Sequence, residues 1–297
     1  MSQQSEIGKQ APAGYDASFD YAIHSDVLIH WTGKDIDTDY DPHWDRHYKM
    51  GITKKAKDAY VERLDNILTY GLWITKEEKP EQYNSVDLPT PPRCCFTELK
   101  LSESRKHARK FGRLGIGVKR YFLFNRFGRP VMYFGGYGTN SVKDKFLEAC
   151  LGAWKENLRI KNMLSFFKPM SSTPPNLNYD LYAESEWRMI FLEDDEEYRS
   201  LLEKGWIIDP KDKRNQEAHA YFQRLKKEQQ DKLKYLVPLD GWFSMIIYPA
   251  LDVKNEAQQN AELGFAEKIK KTRWGQGSRV ENGNRPVEVT LDDCRNF

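Results

Sequence analysis

The chain has 297 residues, of which 39% are hydrophobic and 30% are charged. This balance is typical of a folded globular protein and excludes a highly charged, disordered chain. The formal net charge of +2 does not by itself indicate a polyanionic partner, and no run reaches the ~18 consecutive apolar residues of a membrane-spanning helix.

The N-terminal segment and the cysteines indicate a cellular compartment. Residues 1–20 are small and polar and lack the apolar core of a secretory signal, so we expect a flexible lead-in before a single domain over 21–297. The cysteines lack the paired spacing of a metal site, and adjacent ones do not close a disulfide easily. They are Cys94, Cys95, Cys150 and Cys294. We therefore predict a reduced, cytoplasmic protein that contacts no membrane.

The first predicted strand covers residues 27–33, an apolar run that ends at a glycine. A polar loop over 35–47 follows, and its acidic and imidazole side chains are metal-ligand types. They are Asp37, Asp39, Asp41, His43 and His47. Their positions follow no fixed ligand spacing, so we interpret this segment as a solvated loop without a metal ion.

A helix is predicted over residues 54–70. Thr53 is a suitable N-cap, Tyr60, Leu64 and Ile67 recur at helical spacing, and Gly71 suits the position just after the last turn. A polar loop with several prolines then leads into a short predicted strand over 93–98.

The stretch from Arg105 to Arg129 is strongly basic and contains no Asp or Glu. Its nine Lys and Arg residues are at positions 105, 106, 109, 110, 113, 119, 120, 126 and 129, interleaved with five aromatic residues at 111, 121, 122, 124 and 127. Within it, residues 115–118 read as a strand to which another chain or ligand approaches closely, because glycines alternate there. A turn at Gly128 and Pro130 leads into residues 131–134, which predicts a hairpin.

Two interpretations of this basic hairpin stay open. A basic surface with exposed aromatic rings binds phosphates and stacks bases, and Arg113, Lys119 and Arg120 would then contact nucleic acid. Alternatively, the hairpin has a solvated basic face with no ligand.

The rest of the chain alternates helical and strand-like segments. Helices are predicted over 146–167, up to Gly205, over 212–232 and over 252–264, and strands over 187–192, 233–237, 242–248 and 287–291. A loop over 171–178 precedes the 187–192 strand. Because no repeat and no long linker divides the chain, we predict one α+β domain with one or two adjoining mixed sheets and flanking helices.

The strand before the acidic run 193–197 carries unusual charges. Alternate side chains share a face of a strand, so Glu184, Glu186 and Arg188 would lie together on a buried element. Unpaired charges are rarely buried, so the presence of three charged side chains on this strand needs an explanation. The reason is either a structural Glu186–Arg188 ion pair or a catalytic carboxylate supported by a second carboxylate.

Four segments in order resemble the AbiGi-type abortive phage infection proteins over about residues 27–250. They are residues 29–33 with a helix that ends at 67–72; residues 95–98; residues 115–118 followed by 130–133; and the Glu-Ser-Glu-Trp-Arg strand at 184–188. The resemblance implies a phage-defence protein of the abortive-infection or toxin–antitoxin type, with a cognate toxin or antitoxin as partner.

A more distant resemblance, to ADP-ribosyltransferases, implies a chemistry. It consists of a first strand with His and Thr, a helix that ends in Gly-Leu and a late Glu-x-Glu strand. It implies an ADP-ribosyltransferase-like fold and transfer of ADP-ribose from NAD to a nucleic-acid or protein acceptor. Glu186 would then be catalytic and Glu184 would orient the acceptor. The NAD-binding residues would be His30, Thr32, Thr97, Arg105 and Arg109. The Ser-Thr-Ser or Tyr motif of such enzymes has no clear match here.

Three functions therefore remain open: an ADP-ribosyltransferase toxin, a non-catalytic antitoxin or regulator with the same fold, and a nucleic-acid-binding module that uses residues 105–129. A cleft that joins His30 to Glu186 would favour the enzyme. Closure of Glu186 by Arg188 would favour the binding protein.

Overall fold

The computed structural model describes residues 27–36, 52–77, 82–83, 86–98, 100–134, 149–153, 157–169, 185–274 and 286–296. The predicted lead-in over 1–20, the metal-ligand types between Asp37 and His47, the loop over 171–178 and Glu184 lie outside these ranges. The described part combines helices with an open mixed sheet, which confirms the α+β class.

The strands and helices are numbered in chain order. The strands are β1 (Val27–Thr32), β2 (Leu72–Thr75), β3 (Gln82–Tyr83), β4 (Val86–Asp87), β5 (Arg93–Thr97), β6 (Leu114–Lys119), β7 (Arg129–Pro130), β8 (Met132–Phe134), β9 (Phe167–Pro169), β10 (Glu186–Ile190), β11 (Leu233–Val237), β12 (Phe243–Tyr248) and β13 (Val287–Thr290). The helices are α1 (Lys54–Tyr70), α2 (Ser104–Phe111), α3 (Arg120–Phe124), α4 (Leu158–Leu164), α5 (Glu196–Glu203), α6 (Gln216–Arg224), α7 (Lys227–Lys232), α8 (Leu251–Gln259) and α9 (Phe265–Trp274).

Nine strands form one sheet that branches at β5. Its main path runs β11-β2-β5-β1-β6-β12-β13, and β10 pairs with both β5 and β7. Strand β10 pairs along the whole of β5, whereas β1 pairs with β5 only at Thr97 and β2 only at Arg93. Because a strand has two edges, β1 and β2 share the edge of β5 that faces away from β10. Strand β5 therefore separates β1 from β10.

The two faces of the sheet bury separate apolar cores. On one face, Leu28, Phe96 and Ile116 pack in the main core, to which helix α1 contributes Tyr60 and Leu64. The opposite face carries the alternate residues of the same strands. Ile29 and Trp31 of β1 and Met245 and Ile247 of β12 pack there against Ala108 of helix α2. The position of a residue along β1, odd or even, therefore decides which of the two cores its side chain meets.

The predicted basic hairpin is wrong. Strand β6 pairs with β1 on one side and with β12 on the other, both antiparallel, so it has no edge left for residues 131–134. Residues 120–124 form helix α3 instead of continuing a strand. Strand β7 pairs with β10, and β8 pairs in parallel with β9. The close approach expected at the glycines is made by neighbouring strands, because a Cβ on Gly117 would lie 2.6 Å from Cβ of Met245.

Two long predicted helices are interrupted by residues with extended backbone. Asn157 has φ −133° and ψ 105°, and its side chain caps the new helix α4 by accepting from the backbone of Arg159. The predicted helix over 146–167 is therefore not continuous, although 146–148 and 154–156 lie outside the described residues. Leu225, with ψ 148°, separates α6 from α7 in the same way.

Helix α1 has the predicted caps. Thr53 accepts a hydrogen bond from Ala56, and Gly71 ends the helix with φ +103°. A Cβ at Gly71 would lie 2.2 Å from the carbonyl oxygen of Val237, which is backbone and yields little. Gly71 is therefore required both by its own conformation and by the close approach of β11.

Replacing Gly71 by alanine is expected to lower the free energy of unfolding by at least about 2 kcal/mol, because backbone strain and a backbone clash add. The matched control is Gly205→Ala. Gly205 also has positive φ (+66°), but no atom lies within 4 Å of its would-be Cβ. That variant should lose only about 1 kcal/mol, from strain alone. Urea unfolding of both proteins measures the difference, and equal losses would contradict the close approach.

Candidate functional site

Glu186 lies in a buried cluster of charges on β10. Its carboxylate accepts from Nε of Arg188 at 2.8 Å and from Nζ of Lys168, and the residue is only 6% exposed. Arg188 is 1% exposed and also donates to the carbonyl oxygen of Ser165 at 2.9 Å. The structural ion pair between Glu186 and Arg188 is present, and Lys168 of β9 adds a second cation.

The cluster keeps Glu186 charged. Burial alone raises the pKa of this carboxyl, but the charges of Arg188 and Lys168 overcome that effect and hold the pKa well below its usual range. The thiol of Cys95 also contacts the carboxylate. Burial and the neighbouring Glu186 charge raise the pKa of Cys95, so this thiol stays protonated. A carboxylate bound to two cations at once is a weak base for proton transfer.

His30 lies on the other face of the sheet. Its Nδ1 is 2.9 Å from the carbonyl oxygen of Cys95 and 3.5 Å from Sγ of Cys94, and its ring packs against Phe96. Burial lowers the pKa of His30, so the ring is neutral, and the carbonyl requires the proton on Nδ1. Glu186 pairs with Thr97, two residues from Cys95, on the face opposite Cys94 and Phe96.

The remaining residues of the implied NAD site lie apart. Thr32 shares the face of His30 and accepts from Arg63 at 3.0 Å, whereas Thr97 lies opposite Glu186. Arg105 on α2 pairs with Asp292 near the C-terminus at 3.1 Å. Arg109 is exposed at the end of the same helix.

In the part of the chain that the structure describes, the expected cleft from His30 to Glu186 is not formed. Strand β5 separates the strands that carry them, and their side chains project to opposite faces. Two cavities in the described part of the chain, one beside Phe191 and one beside Trp73, are lined by neither His30 nor Glu186. Transfer of ADP-ribose from NAD, with Glu184 outside the described residues, stays a prediction from the resemblance alone.

The basic stretch is divided among several local structures. Arg126 is 1% exposed and donates to Asp240 at 3.0 Å and to the carbonyl oxygens of Phe122 and Trp206, so its role is structural. Arg120 pairs with Glu98. Arg113 precedes β6 whereas Lys119 ends it, and a strand of this length separates them by roughly 20 Å. The proposed contacts Arg113, Lys119 and Arg120 therefore do not form one surface.

An aromatic surface lies at the Lys119 end of β6. It consists of three exposed rings, Tyr121 and Phe124 on α3 and Trp242 before β12, and of the buried ring of Trp187 on β10, which is 7% exposed. Ring centroids are 4.9 Å apart for Tyr121 and Trp242, 6.2 Å for Tyr121 and Phe124, and 5.8 Å for Phe124 and Trp187. Tyr121 is 59% exposed, Phe124 41% and Trp242 39%. A contiguous group of exposed rings of this kind marks a binding surface.

Charged residues hold this aromatic surface in place. Glu98 accepts from Nε1 of Trp187 at 2.7 Å and also binds Arg120, whose guanidinium lies 5.6 Å above the Trp187 ring. The backbone N–H of Lys119 donates to the carbonyl oxygen of Trp242 at 2.8 Å, which ties the two segments together. The rings and the cations are therefore positioned before any ligand arrives.

Sequence reasoning found only half of this surface. Tyr121 and Phe124 belong to the basic stretch, but Trp242 is about 120 residues away and joins them only because β6 pairs with β12. For Glu98, the sequence predicts only the end of a strand. The one local signal for Trp242 is its position in a turn that Asp240 forms by accepting from the Trp242 N–H at 2.9 Å.

Comparison of the chain with protein-family models, with curated proteins and with solved structures finds no match. Among the helices that the structure describes, none combines the length and the apolar character needed to cross a membrane.

Proposed function

We propose that this protein binds single-stranded nucleic acid at the aromatic surface, through its three exposed rings Tyr121, Phe124 and Trp242. The observation that carries the proposal is the exposure of three neighbouring rings at 39–59% beside basic side chains. Stacking on aromatic rings is worth about 1–3 kcal/mol per base and tolerates any base, because every base has a π-face.

Cations surround the rings in positions that suit a phosphate backbone. Lys119 ends β6 beside Trp242, and Arg120 lies over Trp187. Arg129 on β7 is also exposed, but its register partner is Arg188, so it lies on the face of β10 opposite Trp187. A polyanionic strand that follows the rings would pass Lys119 and Arg120, and arginine both stacks on rings and binds phosphates.

The geometry favours a single strand over a duplex. The exposed rings lie on a short helix and a turn, and bases reach such rings only when they are unstacked. A duplex keeps its bases stacked inside and presents mainly phosphates. The resemblance to abortive-infection proteins supplies a context, in which the bound strand is phage or host RNA or DNA.

Alanine at Tyr121 or Trp242 is expected to weaken binding of a fluorescently labelled 15-nucleotide single strand roughly 10-fold to 100-fold, because each loses one stacked base. Fluorescence anisotropy at low salt measures the affinity. Leu251→Ala is the control, since Leu251 is 61% exposed on α8 at the opposite end of β12. Unchanged affinity in both aromatic variants would contradict the proposal.

Salt dependence tests the cations separately. Lys119→Gln should reduce the slope of log affinity against log salt by about 0.7, the value for one phosphate contact on a single strand. Arg113→Gln is the matched control from the same basic stretch, because Arg113 lies at the other end of β6. Equal changes in the two variants would show that binding does not use the aromatic surface.

A further inference from the structure

A cavity of about 650 Å³ lies between helix α1, strand β2 and helix α6. It adjoins the C-terminal end of β1, because Asp35 and Ile36 line it. The aromatic surface lies at the other end of that strand, where Val27 pairs with Lys119. The volume falls within the usual range for small-ligand pockets, about 300–1,000 Å³.

Two aromatic side chains form a rigid wall of this cavity. Trp73 of β2 and Tyr221 of α6 both line it, and Nε1 of Trp73 donates to Oη of Tyr221 at 3.2 Å. Tyr70 stacks on Tyr221 from behind, with ring centroids 4.2 Å apart and an angle of 11°. These contacts hold the rings in one orientation, which suits a planar ligand at little entropic cost.

Positive charge is concentrated in the same cavity. Lys55, Arg63, Arg224 and Lys226 line it, against only Asp35 and Glu62. Arg63 is oriented by Thr32 at 3.0 Å and by Asp35 at 2.6 Å, and Arg224 by Oη of Tyr70 at 2.8 Å. A guanidinium has five N–H donors, so both arginines keep donors for an anion after these contacts. The cavity therefore combines an aromatic wall with oriented arginines.

From this combination we infer that the cavity between α1, β2 and α6 binds a nucleoside monophosphate. The base packs against Trp73 and Tyr221, and the phosphate lies among Arg63, Arg224 and Lys226. The carboxamide of Asn66, which also lines the cavity, offers hydrogen bonds to the base or ribose. A ligand that has both a planar ring system and a phosphate matches this lining. Inorganic phosphate alone would make no contact with the aromatic wall.

Calorimetric titration of the full chain with AMP, GMP, CMP and UMP tests the inference, with adenosine and inorganic phosphate as the two partial ligands. At least one monophosphate should bind tenfold or more tightly than its nucleoside and than phosphate, because the ring and the anion contribute together. Equal affinity for phosphate and for every monophosphate would overturn the inference, as would the absence of binding at millimolar concentration.

Two variants test the site itself. Arg224→Gln should weaken the bound monophosphate about tenfold or more, since a charge-assisted hydrogen bond is lost. Asp35→Asn should strengthen it, because the change removes a competing anion from Arg63. Asp35 is 64% exposed, so its substitution leaves the fold intact. Lys271→Gln on α9 is the control for general charge effects. Unchanged affinity in Arg224→Gln, or weaker binding in Asp35→Asn, would overturn the assignment.

Discussion

Replacing Glu186 by glutamine is expected to lower the free energy of unfolding by about 3–5 kcal/mol. Breaking a buried ion pair by removing one partner leaves an uncompensated charge, and here the change leaves Arg188 and Lys168 facing a neutral amide. Glutamine keeps the size of the side chain, so the loss reports charge rather than packing. Chemical unfolding and the melting temperature measure it.

Acid should remove the same stabilisation in the wild-type protein. The pKa of Glu186 is lower in the folded state than in the unfolded chain, where it is about 4.3. Its contribution is therefore complete above that pH and is lost as the pH falls below it. The Glu186→Gln protein should show a correspondingly smaller drop in stability between pH 5 and pH 3.

A surface glutamate provides the matched control. Glu228→Gln breaks an i,i+4 pair with Lys232 whose glutamate is 82% exposed, and such pairs contribute little. Its melting temperature should stay close to that of the wild type. A Glu186→Gln protein that is equally stable would contradict the structural role of the cluster.

The same variant separates the structural role from the catalytic one that the ADP-ribosyltransferase resemblance implies. Loss of a preorganised catalytic charge lowers turnover by roughly 10²–10³-fold without requiring a loss of stability. NAD hydrolysis is therefore measured on the same preparations. If the Glu186→Gln protein were as stable as the wild type but had lost NAD turnover, the result would favour a catalytic role of Glu186 over a structural one.

The second large effect is expected at Arg126. The Asp240→Asn change should lower the free energy of unfolding by about 3–5 kcal/mol, because it leaves the guanidinium of Arg126, which is 1% exposed, without its counter-charge. Burial lowers the pKa of Arg126, and Asp240 opposes that shift. Urea unfolding measures the loss.

A double variant shows whether the cost comes from the stranded charge. Replacing Arg126 by methionine in the Asp240→Asn protein removes both charges and keeps the side-chain acceptor for the Trp242 N–H, so part of the lost stability should return. A double variant that is less stable than both Asp240→Asn and Arg126→Met would show that the hydrogen bonds of Arg126 to Phe122 and Trp206 dominate. Arg126 is thus excluded as a nucleic-acid contact, although it lies in the basic stretch.

Local signals predicted those elements whose ends are determined nearby in the chain. Helix α1 follows from its Thr53 and Gly71 caps and its apolar spacing, and β1, β11, β12 and β13 follow from short apolar runs. The single helix predicted over 146–167 is wrong, because Asn157 is an N-cap within an apolar period that continues on both sides of it. Asn caps a helix only where its own backbone is extended, and the residue type alone does not determine that conformation.

The pair Glu186 and Arg188 was predictable because it needs only the two-residue period of a strand. Lys168, Glu98 and Trp242 were not, because each reaches its partner from a distant segment of the chain. Nothing in the residues around Trp242 indicates that β12 lies beside β6. The sequence alone therefore predicts only part of the candidate site.

By itself, the sequence determined the α+β class, the ends of helix α1 and the shared face of Glu186 and Arg188 on β10, since caps and periodicity act over a few residues. Only the tertiary structure decided that His30 and Glu186 project to opposite faces and that Tyr121 meets Trp242. The physical reason is strand register. A shift of one residue between paired strands moves every side chain to the other face, and register is set by packing across the whole sheet.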